Sequence, residues 1–247
     1  MKKFAALLLS LVMMTTAFAA LADTLVVATN PEFPPFEYVE GEEIVGIDMD
    51  IAAEIAKDLG WELEKESMEF ASIVNAVKSG QATVGIAGMT INDERKLNVD
   101  FSEPYYNAKQ AVIVNVKGTV TDADTLKDKI IGVQLGTTGD SAAEGYTAVD
   151  NVMRFPKALD AVMELAGGKL DAVIIDKPVA EQLVKAMNNP ELMILDNVPF
   201  EDEFFGIAIA KGNEELLASI NATLARINED GTMAAILAKY FGEAAAE

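Results

Sequence analysis

The chain has 247 residues, 51% of them apolar, and a formal charge of −21. So acidic a surface repels phosphate backbones and anionic lipids, which argues against nucleic acid and membrane surfaces as partners. The sequence contains neither histidine nor cysteine. That excludes serine–histidine and cysteine–histidine nucleophile pairs, histidine-ligated zinc and a disulfide framework.

Lys2 and Lys3 precede an uncharged stretch from Phe4 to Ala22, which ends in Ala17-Phe18-Ala19 and Ala20-Leu21-Ala22. Both triplets fit an A-x-A site, so residues 1–22 read as a secretory signal peptide cleaved near Ala22, with Ala19 as the other position. An uncleaved anchor is the alternative, because about 20 apolar residues can span a bilayer. Loss of Lys2 and Lys3 takes the mature chain to −23. Without cysteine it cannot carry a lipid, and the bacterial periplasm is the expected compartment, with secretion to the medium as the weaker alternative.

Beyond the leader, apolar strands alternate with amphipathic helices. Thr24 to Thr29 reads as a β-branched strand ended by a Pro-rich loop, Asn30 to Glu37. Ile47 to Leu59 predicts a helix, with Ile51, Ile55 and Leu59 on one face. A strand is expected over Trp61 to Lys65, a helix over Ser72 to Lys78 stopped by Gly80, a strand over Ala82 to Ala87 and a short helix around Asp93 to Leu97. Lys109 to Val116 and Ile130 to Gln134 read as strands, the second running into Gly136-Thr137-Thr138-Gly139 and a helix. A helix over Lys157 to Leu165, a strand over Ala172 to Ile175 and a helix over Pro178 to Ala186 follow. The chain closes with a strand, Phe205 to Ala210, and helices over Glu214 to Ile227 and Met233 to Phe241. Such short βα units predict an α/β architecture with mixed or parallel sheets flanked by helices.

Gly46-Ile47-Asp48-Met49-Asp50-Ile51, followed after three residues by Ile55-Ala56-Lys57-Asp58-Leu59, is in physical terms a turn glycine, two acids near a helix start and an apolar helix face. It also matches the signature of polar amino-acid-binding proteins. Pro34-Pro35-Phe36, Ala87-Gly88-Met89-Thr90-Ile91, Glu94-Arg95, Asp100-Phe101-Ser102, Pro104-Tyr105-Tyr106, Gly136-Thr137-Thr138 and Tyr240-Phe241-Gly242 fall in that family's order. From Asp23 to about Gly242 the chain resembles the periplasmic solute-binding proteins of family 3, of the glutamine-, histidine- and lysine/arginine-binding type. The resemblance implies a two-lobed type II periplasmic-binding-protein fold: two α/β lobes, each a mixed β-sheet flanked by helices, joined by two crossing hinge strands. Lobe one would comprise residues 23–107 plus 202–247 and lobe two residues 108–201, with Tyr105–Lys109 and Phe200–Phe204 as hinges.

An α-amino acid presents a carboxylate, an ammonium and a side chain. Arg95 is one of three arginines against sixteen lysines, and its planar fork matches a carboxylate bidentately. Taken alone it reads first as an exposed arginine paired with Asp93 or Glu94; the resemblance makes it the carboxylate grip. Gly88 would let a ligand approach the main chain, with Met89 and Thr90 in the same run. Thr137 and Thr138 lie between a strand and a helix, where they would either bind an anion or simply cap the helix. Asp176 ends an apolar strand, where α/β folds place ligands; it is a helix cap or, by resemblance, the ammonium partner. Phe33 and Phe70 would cover the ligand side chain or belong to the core. Asn30 stands where basic-amino-acid binders commonly carry aspartate. With Gln134 also neutral, the ligand expected is a polar uncharged amino acid such as glutamine, a basic amino acid or an opine being the alternatives.

The expected function is capture of this ligand by hinge closure and delivery to an inner-membrane ABC permease. The protein would act as a monomer, without cofactor, metal or catalytic residue. The clusters Asp48-Asp50 and Glu201-Asp202-Glu203 lack the spacing of a calcium loop. The rival is an exported cyclohexadienyl or arogenate dehydratase on the same fold, which would need a further cleft acid. Glu201 and Glu203 are the nearest candidates, and both read as solvated turn residues.

Overall fold

The computed structural model describes residues 23–242, so the expected leader lies outside the described residues. In chain order the first half runs β1 (Thr24–Thr29), β2 (Glu32–Phe33), β3 (Glu37–Glu40), β4 (Glu43–Val45), α1 (Ile47–Leu59), β5 (Glu62–Ser67), α2 (Ile73–Ser79), β6 (Val84–Gly85), α3 (Asp93–Lys96), β7 (Val99–Phe101) and β8 (Tyr106–Asn115). The second half runs β9 (Ile131–Gln134), α4 (Thr138–Ala143), β10 (Val152–Phe155), α5 (Ala158–Ala166), β11 (Ala172–Asp176), α6 (Lys177–Met187), β12 (Leu192–Leu195), β13 (Asp202–Phe205), β14 (Ala208–Ala210), α7 (Glu214–Glu229) and α8 (Thr232–Phe241).

Two main sheets define two α/β lobes. The first has strand order β5-β1-β6-β14-β7, and the second β10-β9-β11-β8-β12. In the first, β1 pairs in parallel with β5 and β6, and β14 lies antiparallel between β6 and β7. In the second, β9 is parallel to β10 and β11, while β8 is antiparallel to β11 and β12. Every residue of β11 is buried, as expected of a strand covered on both faces. The beginning of β8 pairs antiparallel with β13, from Tyr106↔Phe205 to Lys109↔Asp202, so two strands run side by side between the sheets. The carboxyl ends of β1, β9 and β11 all open towards the cleft.

The expected strands and helices are present, with informative differences. The Pro-rich loop is part of a small antiparallel sheet, β2-β3-β4, whose strands are too short to show a period. The strand expected over Ala82 to Ala87 contracts to Val84–Gly85. Phe205 to Ala210 is two strands rather than one: Gly206 donates to the Met89 carbonyl, and the chain passes from one sheet to the other. Strands β7, β10 and β12 carry no strong alternation and were not expected.

Helix α1 starts without a side-chain cap. Its first amides, of Ile47 and Asp48, instead donate to the carbonyls of Pro35 and Phe36, which locks the helix onto the loop that enters the cleft. The close approach is possible because Gly46 has φ 132, where a Cβ would lie 2.0 Å from the Phe36 oxygen. Helices α7 and α8 clasp the other side of α1: Arg226 bonds Glu54 and Asp58, and Lys239 and Tyr240 reach Asp50. We expect Gly46→Ala to destabilise the protein by about 2 kcal/mol or more, since both backbone conformation and contact forbid the methyl. In thermal unfolding this is a fall of at least about 4 °C, and an unchanged midpoint would contradict the account.

Candidate functional site

The two lobes meet around a cavity lined by Asn30, Phe33, Glu37, Phe70, Ala87, Gly88, Thr90, Arg95, Gln134, Thr137, Thr138 and Asp176. Ten of the residues picked out in the sequence are thus brought together. Met89 is not among them. It is fully buried in the core of the first lobe, turned away from the cavity that Ala87, Gly88 and Thr90 line.

Arg95 sits on α3, whose start is capped by Asn92 through the Arg95 amide. Its guanidinium is buried, donates to the Thr90 carbonyl (2.6 Å) and, across the cleft, to the Gly136 carbonyl (3.1 Å). It also lies over the Phe70 ring at 5.2 Å. Among the described residues Arg95 forms no ion pair, so it is not the exposed partner of Asp93 or Glu94. Burial works against its charge, and Glu203, Asp176 and Glu94 counter that effect.

Gly88 has φ 51, and a Cβ there would meet the Phe33 ring at 2.8 Å. This glycine therefore lets Phe33 form one wall of the cavity while Phe70 forms another. Thr137 caps α4, accepting from the Asp140 amide and donating to the Gln134 carbonyl, so its hydroxyl serves the loop. Thr138 accepts from the Gln110 amide at 3.2 Å and donates to Glu203. Asp176 precedes α6 but its side chain makes no capping bond. It is buried and its Oδ1 has no partner. Burial above all, then Glu203, pushes its carboxyl up to about 8, against the pull of Gln110 and Arg95.

Asn30 and Gln134 bond to each other across the cleft, Gln134 Nε2 donating to Asn30 Oδ1 at 2.9 Å. Gln134 Nε2 also donates to the Pro156 carbonyl, and Asn30 Nδ2 to that of Met68. Both amide hydrogens of Gln134 are thereby used, and its remaining capacity is as an acceptor.

Two acidic groups of the site were not anticipated. Glu37 is fully buried in the cavity wall, and no donor reaches either of its oxygens. Burial, reinforced by Asp48 beside it and more weakly by Asp176, raises its carboxyl well above the usual range. The neighbouring Asp48 carboxylate accepts from the Gly88 amide (2.7 Å) and the Tyr105 hydroxyl (2.9 Å). Asp48 is itself pushed up to about 6 by burial, held down in part by those bonds. Asp48 is therefore not a helix-dipole acid but the support of Gly88. The second unanticipated group is Glu203. It is no solvated turn residue: it lies on β13, and its Oε2 accepts from both Thr90 and Thr138 at 2.6 Å. Glu201 is exposed.

Carboxyls raised in the folded state contribute stability that is complete below their unfolded value of about 4 and is lost as pH rises through the folded values. For Asp48 that loss runs from about 4 to about 6, and for Glu37 it extends well above its ordinary value. Glu37→Gln keeps the shape and removes one proton requirement. In ligand-stripped protein, wild type and variant should melt together near pH 4, with the variant melting progressively higher as pH rises above that. A wild type that gains on the variant as pH rises would contradict this assignment.

Comparison with known proteins agrees with the geometry. Residues 25–243 match the bacterial extracellular solute-binding proteins, family 3. The arginine-binding extracellular protein ArtP of Bacillus subtilis is 31% identical over 223 residues, covering 88% of this chain and 86% of its own. An ancestral arginine-binding protein bound to arginine superposes with a TM-score of 0.84 at 41% identity, covering 90% of this chain and 100% of its own. An ancestral arginine-binding protein bound to glutamine gives 0.84 at 42%, covering 89% and 98%. The chain is a binding protein and not an enzyme: it belongs to family 3 of the bacterial extracellular solute-binding proteins.

Proposed function

We propose that this protein captures a cationic L-α-amino acid of the arginine type in the periplasm and delivers it to an inner-membrane ABC importer. The observation that carries this reading is Glu37, a fully buried carboxyl in the cavity wall with no donor on either oxygen. A buried polar group without a partner is costly, and a buried charge more so. Arg95 suits the ligand carboxylate, and Asp176, with its free Oδ1, suits the ammonium. Once these two ends are matched, Glu37 and the acceptor oxygen of Gln134 remain for the side chain. A guanidinium supplies five N–H donors and a positive charge, and its plane suits the aromatic walls Phe33 and Phe70. The similarity to arginine-binding relatives supports the same assignment.

A second reading, the glutamine-like ligand expected from the sequence, is favoured by the neutral pair Asn30 and Gln134. The similarity to an ancestral arginine-binding protein bound to glutamine also supports it. The two differ in what Glu37 does: with glutamine it stays protonated, and with arginine it loses its proton to solvent and pairs with the guanidinium.

The test is thermal unfolding of stripped protein against the twenty L-amino acids, followed by calorimetric titration. A ligand at a hundred times its dissociation constant stabilises by about 2.7 kcal/mol, or very roughly 5–11 °C for a chain of this size. Arginine should give the largest shift. Preference for glutamine, or for glutamate, would overturn the cationic reading. Arg95→Ala should abolish micromolar binding, since stranding one member of a buried charged pair costs about 2–5 kcal/mol. Glu37→Gln should weaken arginine at least about ten-fold more than glutamine, the effect of one charge-assisted bond. An equal loss for both would remove Glu37 from the side-chain site.

A further inference from the structure

Glu203 belongs to neither lobe's interior. It lies on β13, opposite Ala108 of β8, in the pair of strands that runs between the sheets. Its Oε2 gathers two hydroxyl hydrogens, from Thr90 and from Thr138, both at 2.6 Å, the short spacing of a charge-assisted bond. The two donors differ in how they are attached. Thr90 is fixed to β13 by backbone: it bridges Phe205, Ile91 donates to the Phe204 carbonyl, and Gly206 donates to the Met89 carbonyl. Thr138 is the first residue of α4, which packs on β9 and β11 of the other lobe. The Thr90 bond therefore survives any rotation of the second lobe, whereas the Thr138 bond requires that lobe to be closed.

We infer that Glu203 is a positioning residue of the hinge, a carboxylate latch that holds the second lobe shut through Thr138 while Thr90 keeps it aimed. Gln110 extends the latch towards the ligand. It lies directly opposite Asp176 in the β8–β11 register and donates to the same Thr138 hydroxyl. Asp176, Gln110, Thr138 and Glu203 thus form one continuous polar line from the ammonium site to the hinge. The latch acts on closure itself, so its main effect falls on ligand release. The inference rests on capture between the lobes and is independent of which amino acid is captured.

The chain has no cysteine, so one engineered cysteine in each lobe permits specific labelling of the otherwise intact protein. Inter-lobe distance distributions would be recorded for wild type, Glu203→Ala, Glu203→Gln, Thr138→Val and the double variant Glu203→Ala/Thr138→Val. Each would be measured without added ligand and with L-arginine or L-glutamine, alongside stopped-flow association and release. Glu203→Ala should shift the distribution towards open and speed release about ten-fold, the effect of one charged hydrogen bond, with association changed less than about two-fold. Glu203→Gln, which keeps a carbonyl acceptor, should fall between. The double variant should release ligand no faster than the more affected single variant, because both changes break one bond. The latch is overturned by Glu203→Ala with unchanged distances and release, or by losses that simply add in the double variant. If neither amino acid binds wild type, the ligand assignment fails, while the ligand-free distances still decide for or against the latch.

Discussion

One carboxylate that neither reaches solvent nor meets a cation governs the first lobe. Asp48 is fully buried, and its oxygens take the Gly88 amide and the Tyr105 hydroxyl. It thereby joins the start of α1, the run that lines the cavity and the entry to the hinge strand β8. Asp50, two residues on, points about 200° further round the helix and holds Lys239 and Tyr240 of α8. The paired acids of the signature run thus serve opposite sides of one helix, one facing the site and one the closing helices. Their proximity to the helix start is a by-product of both tasks, since the amides there are already satisfied by the Pro35 and Phe36 carbonyls.

The cavity is correspondingly rich in acceptors. Around it stand Glu37, Asp176 and Glu203 against the single guanidinium of Arg95, and two of Arg95's donors are committed to carbonyls. In a low-dielectric site such an excess is resolved by protons, which is why burial raises Glu37 and Asp176. A ligand bearing more positive than negative charge resolves it as well. Proton and ligand cation therefore compete for the same carboxyls, and the site's preference follows from which partner meets more of the acceptors in good geometry.

Much of this was legible in the sequence. The 3.6-residue period gave α1 to the residue, and the apolar run before Asp176 located a strand end at the cleft. The residues left unread share one physical feature: their burial is opposite to their polarity. Glu37 is wholly buried while Val39, on the same strand, is 57% exposed, so hydropathy orients β3 the wrong way. Met89 was placed in the site because a motif carries no information about which of its side chains face inwards. Glu203 looked like a solvated turn because three acids in succession usually are. Only the antiparallel pairing with β8 and the bonds to Thr90 and Thr138 show that the last of them faces the cleft. In each case a tertiary contact decides what a local pattern cannot.

The contacts between the closed lobes are few. Gln134 meets Asn30, Arg95 meets Gly136, Thr138 meets Glu203, and Lys157 pairs with Glu32 at the exposed edge. The last is a surface ion pair that solvent screens, and the other three are made by residues of the cavity or the hinge beside it. A receptor must not close so firmly by itself that its ligand adds nothing, because a ligand shifts an equilibrium only by its differential affinity for the two states. Placing nearly all cross-lobe bonds around the cavity meets that requirement. The groups that hold the lobes together are the ones a ligand would reinforce or replace, so occupancy and closure are set by the same atoms.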